Sequence, residues 1–281
     1  MLAHAKLNLS LDVLSRREDG YHDLCMVMQT VELADEITLT EEAQAGVRVR
    51  TDLRYLPGDD RNLAAVAARK FWETTGYQGK GLSIHIQKSI PVCAGMGGGS
   101  ADAAAVLRAL NDLSGLHLPA ERLAQIGEQV GSDVPYCVLG GTALAEGKGE
   151  RLMPLPALPD CHIVICKPSF PISTPELFSC IDCRKIRCRP DTDGIVAALK
   201  TGDLAGVARR LYNVFEDVLT DRRGAEIAEI KNEMIASGAL GAAMSGTGPT
   251  VFGIFDSESK AQSAYQTLKS QYPDTFLTRP V

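Results

Sequence analysis

Apolar and polar residues alternate in three short stretches: Ile37 and Leu39 in EITLT, Val47 and Val49 in VRVR, and Leu82, Ile84 and Ile86 in LSIHIQK. Successive side chains of a strand point to opposite faces, so this period predicts half-buried strands in a sheet with one wet face. A helical period follows Asn62, a candidate cap, through Leu63, Val66, Ala67, Lys70 and Phe71. Val106, Leu107 and Leu110 predict a second helix, and Leu123, Ile126 and Val130 a third. Between Leu152 and Asp160 the run MPLPALPD disfavours helix and central strand and suggests a domain seam. Beyond it, CHIVICKP predicts an apolar strand. Helices follow through Leu204, Val207 and Leu211 and through Ile227, Ile230 and Met234. A final strand TVFGIF and a helix with Ala261, Ala264, Tyr265 and Leu268 close the chain. Antiparallel-type strands mixed with helices, without regular βαβ alternation, give an α+β fold class.

The 281-residue length suits one large domain or two intimate ones. Hydrophobic residues at 45% and charged residues at 23% describe an ordinary globular chain. No apolar run approaches the roughly 20 residues a membrane helix needs. MLAHAKLNLSLDVL lacks the layout of a secretion signal, and eight cysteines without one read as reduced thiols, so a cytoplasmic location is expected. Cys180, Cys183 and Cys188 begin as C-x2-C but have no second pair, unlike strong zinc sites. A net charge of -6 gives no global basic field for nucleic acid or anionic membrane. The expected partners are small molecules, with a monomer or homodimer as the assembly.

Chemistry concentrates in PVCAGMGGGSADAAAVLRALN, from Pro91 to Asn111. Glycines costly to order stand directly before strong helix formers, so the backbone must approach something closely. A glycine loop opening a helix aims N–H groups and the positive dipole end at one point, which suits phosphate oxygens; a tight strand-to-helix turn would use the same residues. Ser100 falls at the expected cap position. Its hydroxyl could cap the helix, touch a phosphate or approach magnesium. Gly99 stands where a Walker loop carries lysine, and GMGGGS is not a Rossmann G-x-G-x-x-G. A second cluster, SGTGPTVF from Ser245, is either a hairpin turn or another ligand loop.

These residues resemble a known family. The first glycine stretch resembles the P-x3-G-L-G-[GS]-S-[AS] phosphate loop of the GHMP small-molecule kinases, with Met96 for the usual leucine. SGTGPTVF resembles their third motif, and AHAKLNLSLDVLSRREDGYHDL their first. AKLNLSL, the REDGYHDL piece and GSDVPYCVLGGTALAEGKGE are similar specifically to the 4-diphosphocytidyl-2-C-methyl-D-erythritol kinases of non-mevalonate isoprenoid synthesis.

The resemblance implies a two-domain fold with the active site in the cleft between domains. Residues 1–152 would carry the ATP loop and catalytic pair, and residues 153–281 the substrate side and third glycine motif. It implies transfer of the ATP γ-phosphoryl to the substrate 2-hydroxyl, with Mg2+ implied by the reaction. Asp133 would be the general base and Lys6 its electrostatic partner. ATP would be held by Pro91, Val92, Cys93, Ala94, Gly95, Met96, Gly97, Gly98, Gly99, Ser100 and Ala101, with Lys88 and Asn62 nearer the nucleoside. Asp102 would pair with the helix dipole or serve the metal. Tyr21 and Phe178 would sandwich the cytosine and His22 bond its edge. Asn8 and Thr174 would meet the polyol or diphosphate, and Lys148 stands beside the substrate where the family carries a smaller or apolar residue. A GHMP kinase for homoserine or mevalonate, or a silent binding protein of the same fold, are the competing readings.

Overall fold

The computed structural model describes residues 1–77, 81–182, 186 and 188–281. In chain order the first half runs β1 (Leu2–Arg16), β2 (His22–Glu42), β3 (Val47–Thr51), α1 (Leu63–Thr75), β4 (Gly81–Gln87), α2 (Gly98–Ser114), α3 (Ala120–Glu128) and α4 (Val134–Leu139). Then come β5 (Thr142–Gly147), β6 (Arg151–Pro154), β7 (His162–Lys167), α5 (Thr174–Asp182), α6 (Thr192–Thr201) and α7 (Leu204–Ala208). The chain ends with β8 (Tyr212–Asn213), a 3-10 turn (Val214–Val218), α8 (Arg222–Ala236), β9 (Gly241–Met244), β10 (Val251–Phe255), α9 (Glu258–Gln271) and β11 (Asp274–Thr278). Strands and helices mix without a regular βαβ alternation, as the α+β reading expects. Among the described residues no helix is long and apolar enough to cross a membrane.

The chain packs into two units, and these are not the consecutive pieces expected from a seam at 152/153. One comprises Met1–Ala5, Leu33–Ile90 and Gly97–Gly140; the other comprises Lys6–Glu32, Pro91–Met96 and Gly141–Val281. The difference has a local cause. β1 and β2 are long enough that each contributes to both units, so the chain changes unit within strands and again inside the glycine loop.

In the first unit β3 lies parallel to β4, and β4 pairs antiparallel with the second half of β2, from Glu36↔Gln87 to Glu42↔Gly81. The alternation that predicts these strands turns Ile37, Leu82, Ile84 and Ile86 inward. α1 packs along α2 through small residues: Ala64, Ala65, Ala67 and Ala68 on one, Ala101, Ala103, Ala104 and Ala105 on the other, all buried. Asn62 caps α1, accepting the Ala64 amide at 3.0 Å, and Gly76 ends it in the left-handed conformation.

In the second unit one sheet has the order β6-β5-β2-β1-β8, with β8 parallel to β1 at Ser10↔Tyr212. Met153 and Pro154 of the MPLPALPD stretch end β6, which pairs with β5 at the end of this order, an edge position where proline is tolerated. The other sheet, β11-β7-β10-β9, is antiparallel throughout. α8, through Ile227, Ile230 and Met234, and α9, through Ala261, Ala264 and Leu268, pack against this sheet and against each other. Two expectations fail here. The helix expected through Leu211 ends at Ala208, and α9 is followed by β11, whose DTFLT has no clear alternation to announce it.

Candidate active site

Gly97 opens α2 with φ +68, a left-handed conformation that glycine adopts without strain. Ser100 is therefore not the cap: it lies in the first turn, because the left-handed glycine starts the helix earlier than a serine cap would. The loop before it is equally dependent on glycine. At Gly95, φ is +75 and a Cβ would stand 2.2 Å from the Ser245 carbonyl oxygen. The Ser245 hydroxyl donates to the Gly95 carbonyl at 3.0 Å and accepts the Asn8 amide at 3.2 Å, while the Lys6 amide donates to the Met96 carbonyl at 3.0 Å. Within the second unit, β1, the glycine loop and the SGTGPT connection thus meet. That connection joins the antiparallel β9 and β10, so it is a hairpin turn as well as a loop pressed against the first motif.

Lys6 is buried on β1, and its ammonium donates to the Asn8 side-chain oxygen at 2.7 Å. Residues two apart on a strand share a face, which is why Lys6 and Asn8 meet. Asn8 is fully buried, and its Nδ2 donates to the Met26 sulfur at 3.3 Å. Asp133, in the first unit, is half-buried immediately before α4 with φ -84; its carbonyl accepts the Cys137 amide, and its side chain does not cap the helix.

Lys88 and Asn62 also belong to the first unit. Asn62 uses both ends of its amide locally, accepting from Ala64 and donating to the Pro57 carbonyl at 2.9 Å. Lys88 turns inward: its ammonium lies 2.5 Å from Asp35 and 2.9 Å from Asp102, with its side chain 5% exposed. Burial alone would lower the Lys88 pKa, but the carboxylates of Asp102 and Asp35 outweigh it and the net shift is upward. Burial pushes the Asp102 carboxyl up to about 7, against the pull of Lys88.

The residues expected around the base lie in the second unit. His22, on β2, is buried, with Nε2 2.8 Å from the Asp182 carboxylate and its ring stacked on Phe178 of α5 at 4.6 Å. Phe178 in turn meets Phe215 edge-on at 5.0 Å. Tyr21 is 59% exposed, with the Lys148 ammonium 5.0 Å above its ring. A cavity of about 360 Å³ opens beside His22, lined by Val13, Arg16, Ile181, Asp182 and Arg189 among others. Thr174, at the start of α5, shares a hydrogen bond of 2.9 Å with Thr247 of the second glycine cluster.

Two family profiles match the chain: GHMP kinases N terminal domain over residues 62–141, and GHMP kinases C terminal over residues 195–274. A 4-diphosphocytidyl-2-C-methyl-D-erythritol kinase from Alkaliphilus metalliredigens is 44% identical over 277 residues, 99% of this chain and 94% of the relative. The chain belongs to the GHMP kinases. A solved 4-(cytidine 5'-diphospho)-2C-methyl-D-erythritol kinase superposes with TM-score 0.82 at 33% identity, covering 100% of this chain and 98% of that one. A homoserine kinase from Cytophaga hutchinsonii, 22% identical with TM-score 0.74 over 91% of this chain and 88% of that one, shares the fold.

For this GHMP kinase, four charged residues had no signal in the sequence: Asp35, which meets Lys88, and Asp182, Arg16 and Arg189, which line the cavity beside His22. Asp35 sits in ADEITLT as an ordinary strand-edge carboxylate, and its role appears only through partners distant along the chain. Asp182 lies within the cysteine-rich piece and Arg189 directly after it; Cys183 lies outside the described residues, and Cys180 and Cys188 are free thiols. Among the described residues no group of three or more His, Cys, Asp or Glu side chains is arranged to hold a metal ion. Asp102, the carboxylate beside the loop, meets Lys88 through Oδ2, while its buried Oδ1 has no hydrogen-bond partner.

Proposed function

We propose that this chain phosphorylates the 2-hydroxyl of 4-diphosphocytidyl-2-C-methyl-D-erythritol with ATP, giving the 2-phosphate and ADP in non-mevalonate isoprenoid synthesis. The observation that carries this reading is the 44% identity, over 99% of the chain, to a kinase named for that substrate. In the proposed reaction Asp133 accepts the proton of the 2-hydroxyl as its oxygen bonds to the γ-phosphorus, and the bond to the β-γ bridging oxygen breaks to release ADP. The Lys6 ammonium, held by Asn8, offsets negative charge growing at the reacting oxygens. Backbone amides from Gly95 through Ser100 and the start of α2 receive the triphosphate, a role that suits N–H groups gathered at a helix start. Magnesium commonly keeps its waters and rides on substrate phosphates, which suits a site without its own carboxylate cage. Tyr21, His22 and Phe178 form the base subsite, with Lys148 and Thr174 at its margins.

Purified protein should release ADP with the cytidine-diphosphate-linked substrate and not with mevalonate or homoserine. Turnover of either control without turnover of the first would overturn the substrate assignment.

A further inference from the structure

Lys88 lies at the base of the glycine loop with its ammonium facing away from solvent, and three observations bear on its purpose. First, Asp35 does more than pair with it: one carboxylate oxygen accepts the amides of Ser89 at 2.6 Å and Ile90 at 2.8 Å, the two residues before Pro91. Second, Lys88 donates to Asp102, which lies in α2 immediately after the Ser100-Ala101 end of the loop. Third, a Cβ placed on Gly98 would stand 3.4 Å from the Lys88 nitrogen and 3.2 Å from the Ile90 side chain, so the first turn of α2 rests on these groups. All three charged side chains are nearly removed from water, at 5%, 0% and 6% exposure for Lys88, Asp35 and Asp102.

Burying an ammonium with two carboxylates is poorly explained by stability alone, because desolvation consumes most of the attraction and an apolar cluster of the same shape would hold the fold as well. What an apolar cluster could not do is fix directions. Asp35 orients the last amides before the loop, Asp102 lies where the loop has become helix, and Lys88 joins them.

We propose that Asp35, Lys88 and Asp102 form a positioning unit that ties the start of the nucleotide loop to its end and so sets the spacing of the amides that receive the triphosphate. The idea rests on reading this loop as the ATP site. None of the three touches the nucleotide. Lys88 acts through the carboxylates it bridges, which assigns it a role different from a direct nucleoside contact. Displacing positioned groups by about an ångström can cost up to about a hundredfold in rate or affinity, so a loosened tie should be readable.

The test is calorimetric titration of the purified full chain with a non-hydrolysable ATP analogue, alongside steady-state kinetics. Asp102→Leu fills the same space without accepting from Lys88, and Asp102→Asn keeps an acceptor oxygen. The leucine variant should bind the analogue about tenfold or more weakly, with the KM of the acceptor within about twofold of wild type, and asparagine should restore affinity to within about threefold. If the leucine variant does not fold, Asp102→Ala, which is small, helix-favouring and without an acceptor, reads the same contrast. Equal affinity in all variants, or equal losses for both substrates, would overturn the proposal. Binding of the analogue by wild type without turnover of the cytidyl substrate would instead remove the substrate assignment and leave the tie to be judged on analogue affinity alone.

Discussion

The ammonium of Lys6 is held 2.7 Å from the side-chain oxygen of Asn8, two residues along the same buried strand. A lysine buried in apolar surroundings needs its donors directed, and Asn8 is fixed from behind by Met26 and through its amide by Ser245. Lys6→Ala should lower kcat by about a hundredfold or more, the size of loss seen when a charge-stabilising donor is removed. Asn8→Ala should lower kcat by about tenfold while leaving both KM values nearly unchanged, since the ammonium remains but its direction is freed. Steady-state kinetics with each substrate varied in turn checks both, and an Asn8 variant that changes only the acceptor KM would return Asn8 to direct substrate contact.

Asp133 stands at the start of α4 without capping it, so its carboxylate is not needed to begin the helix. Asp133→Asn keeps the size and shape of the side chain, so its far-UV circular dichroism should match wild type. Loss of the base should lower kcat by about a hundredfold to ten-thousandfold, with affinity for an ATP analogue within about threefold. A variant that retains near wild-type turnover would sink the general-base assignment.

His22 and Asp182 lie 160 positions apart in the chain and meet at 2.8 Å. The contact fixes the ring that stacks on Phe178 and borders the cavity. Asp182→Ala should raise the KM of the cytidyl acceptor by about tenfold, as expected when a hydrogen bond involving a charged group is lost, and leave the KM of ATP within about twofold. An unchanged acceptor KM, with His22→Ala equally silent, would place the base elsewhere.

What could be read from the sequence differs by physical cause. Strands β3 and β4 were legible because one face of each is wet, which leaves alternation in the sequence. β7 and β10 were legible as apolar runs. The glycine loop was legible because its conformation demands residue types that few other settings demand. Ser100 misled because its residue type satisfies the usual cap rule, while a left-handed Gly97 does the same job earlier. The contact of Asn8 with Lys6 was not read from the sequence, although residues two apart on a strand share a face. Asp35 and Asp182 could not be found at all. Their meaning lies in contacts to Lys88 and His22, 53 and 160 positions away.

Asp102 supplies a pH test of the buried cluster. Its carboxyl is pushed up to about 7, first by burial and then by the Asp35 charge, against an unfolded value near 4. An acid whose folded pKa is raised binds its proton more tightly in the folded state. Its contribution to stability is fully present below about pH 4 and is lost as pH rises through about 7. Above about pH 8 the loss is complete and the profile should flatten. Asp102→Asn has no proton to lose and keeps an acceptor for Lys88, so its stability should fall less steeply across the same window. The measurement is urea unfolding of wild type and variant from about pH 5 to about pH 8. The difference between them should move in favour of the variant as pH increases, and parallel profiles across the window would show that Asp102 is already ionised in the folded chain at the acid end.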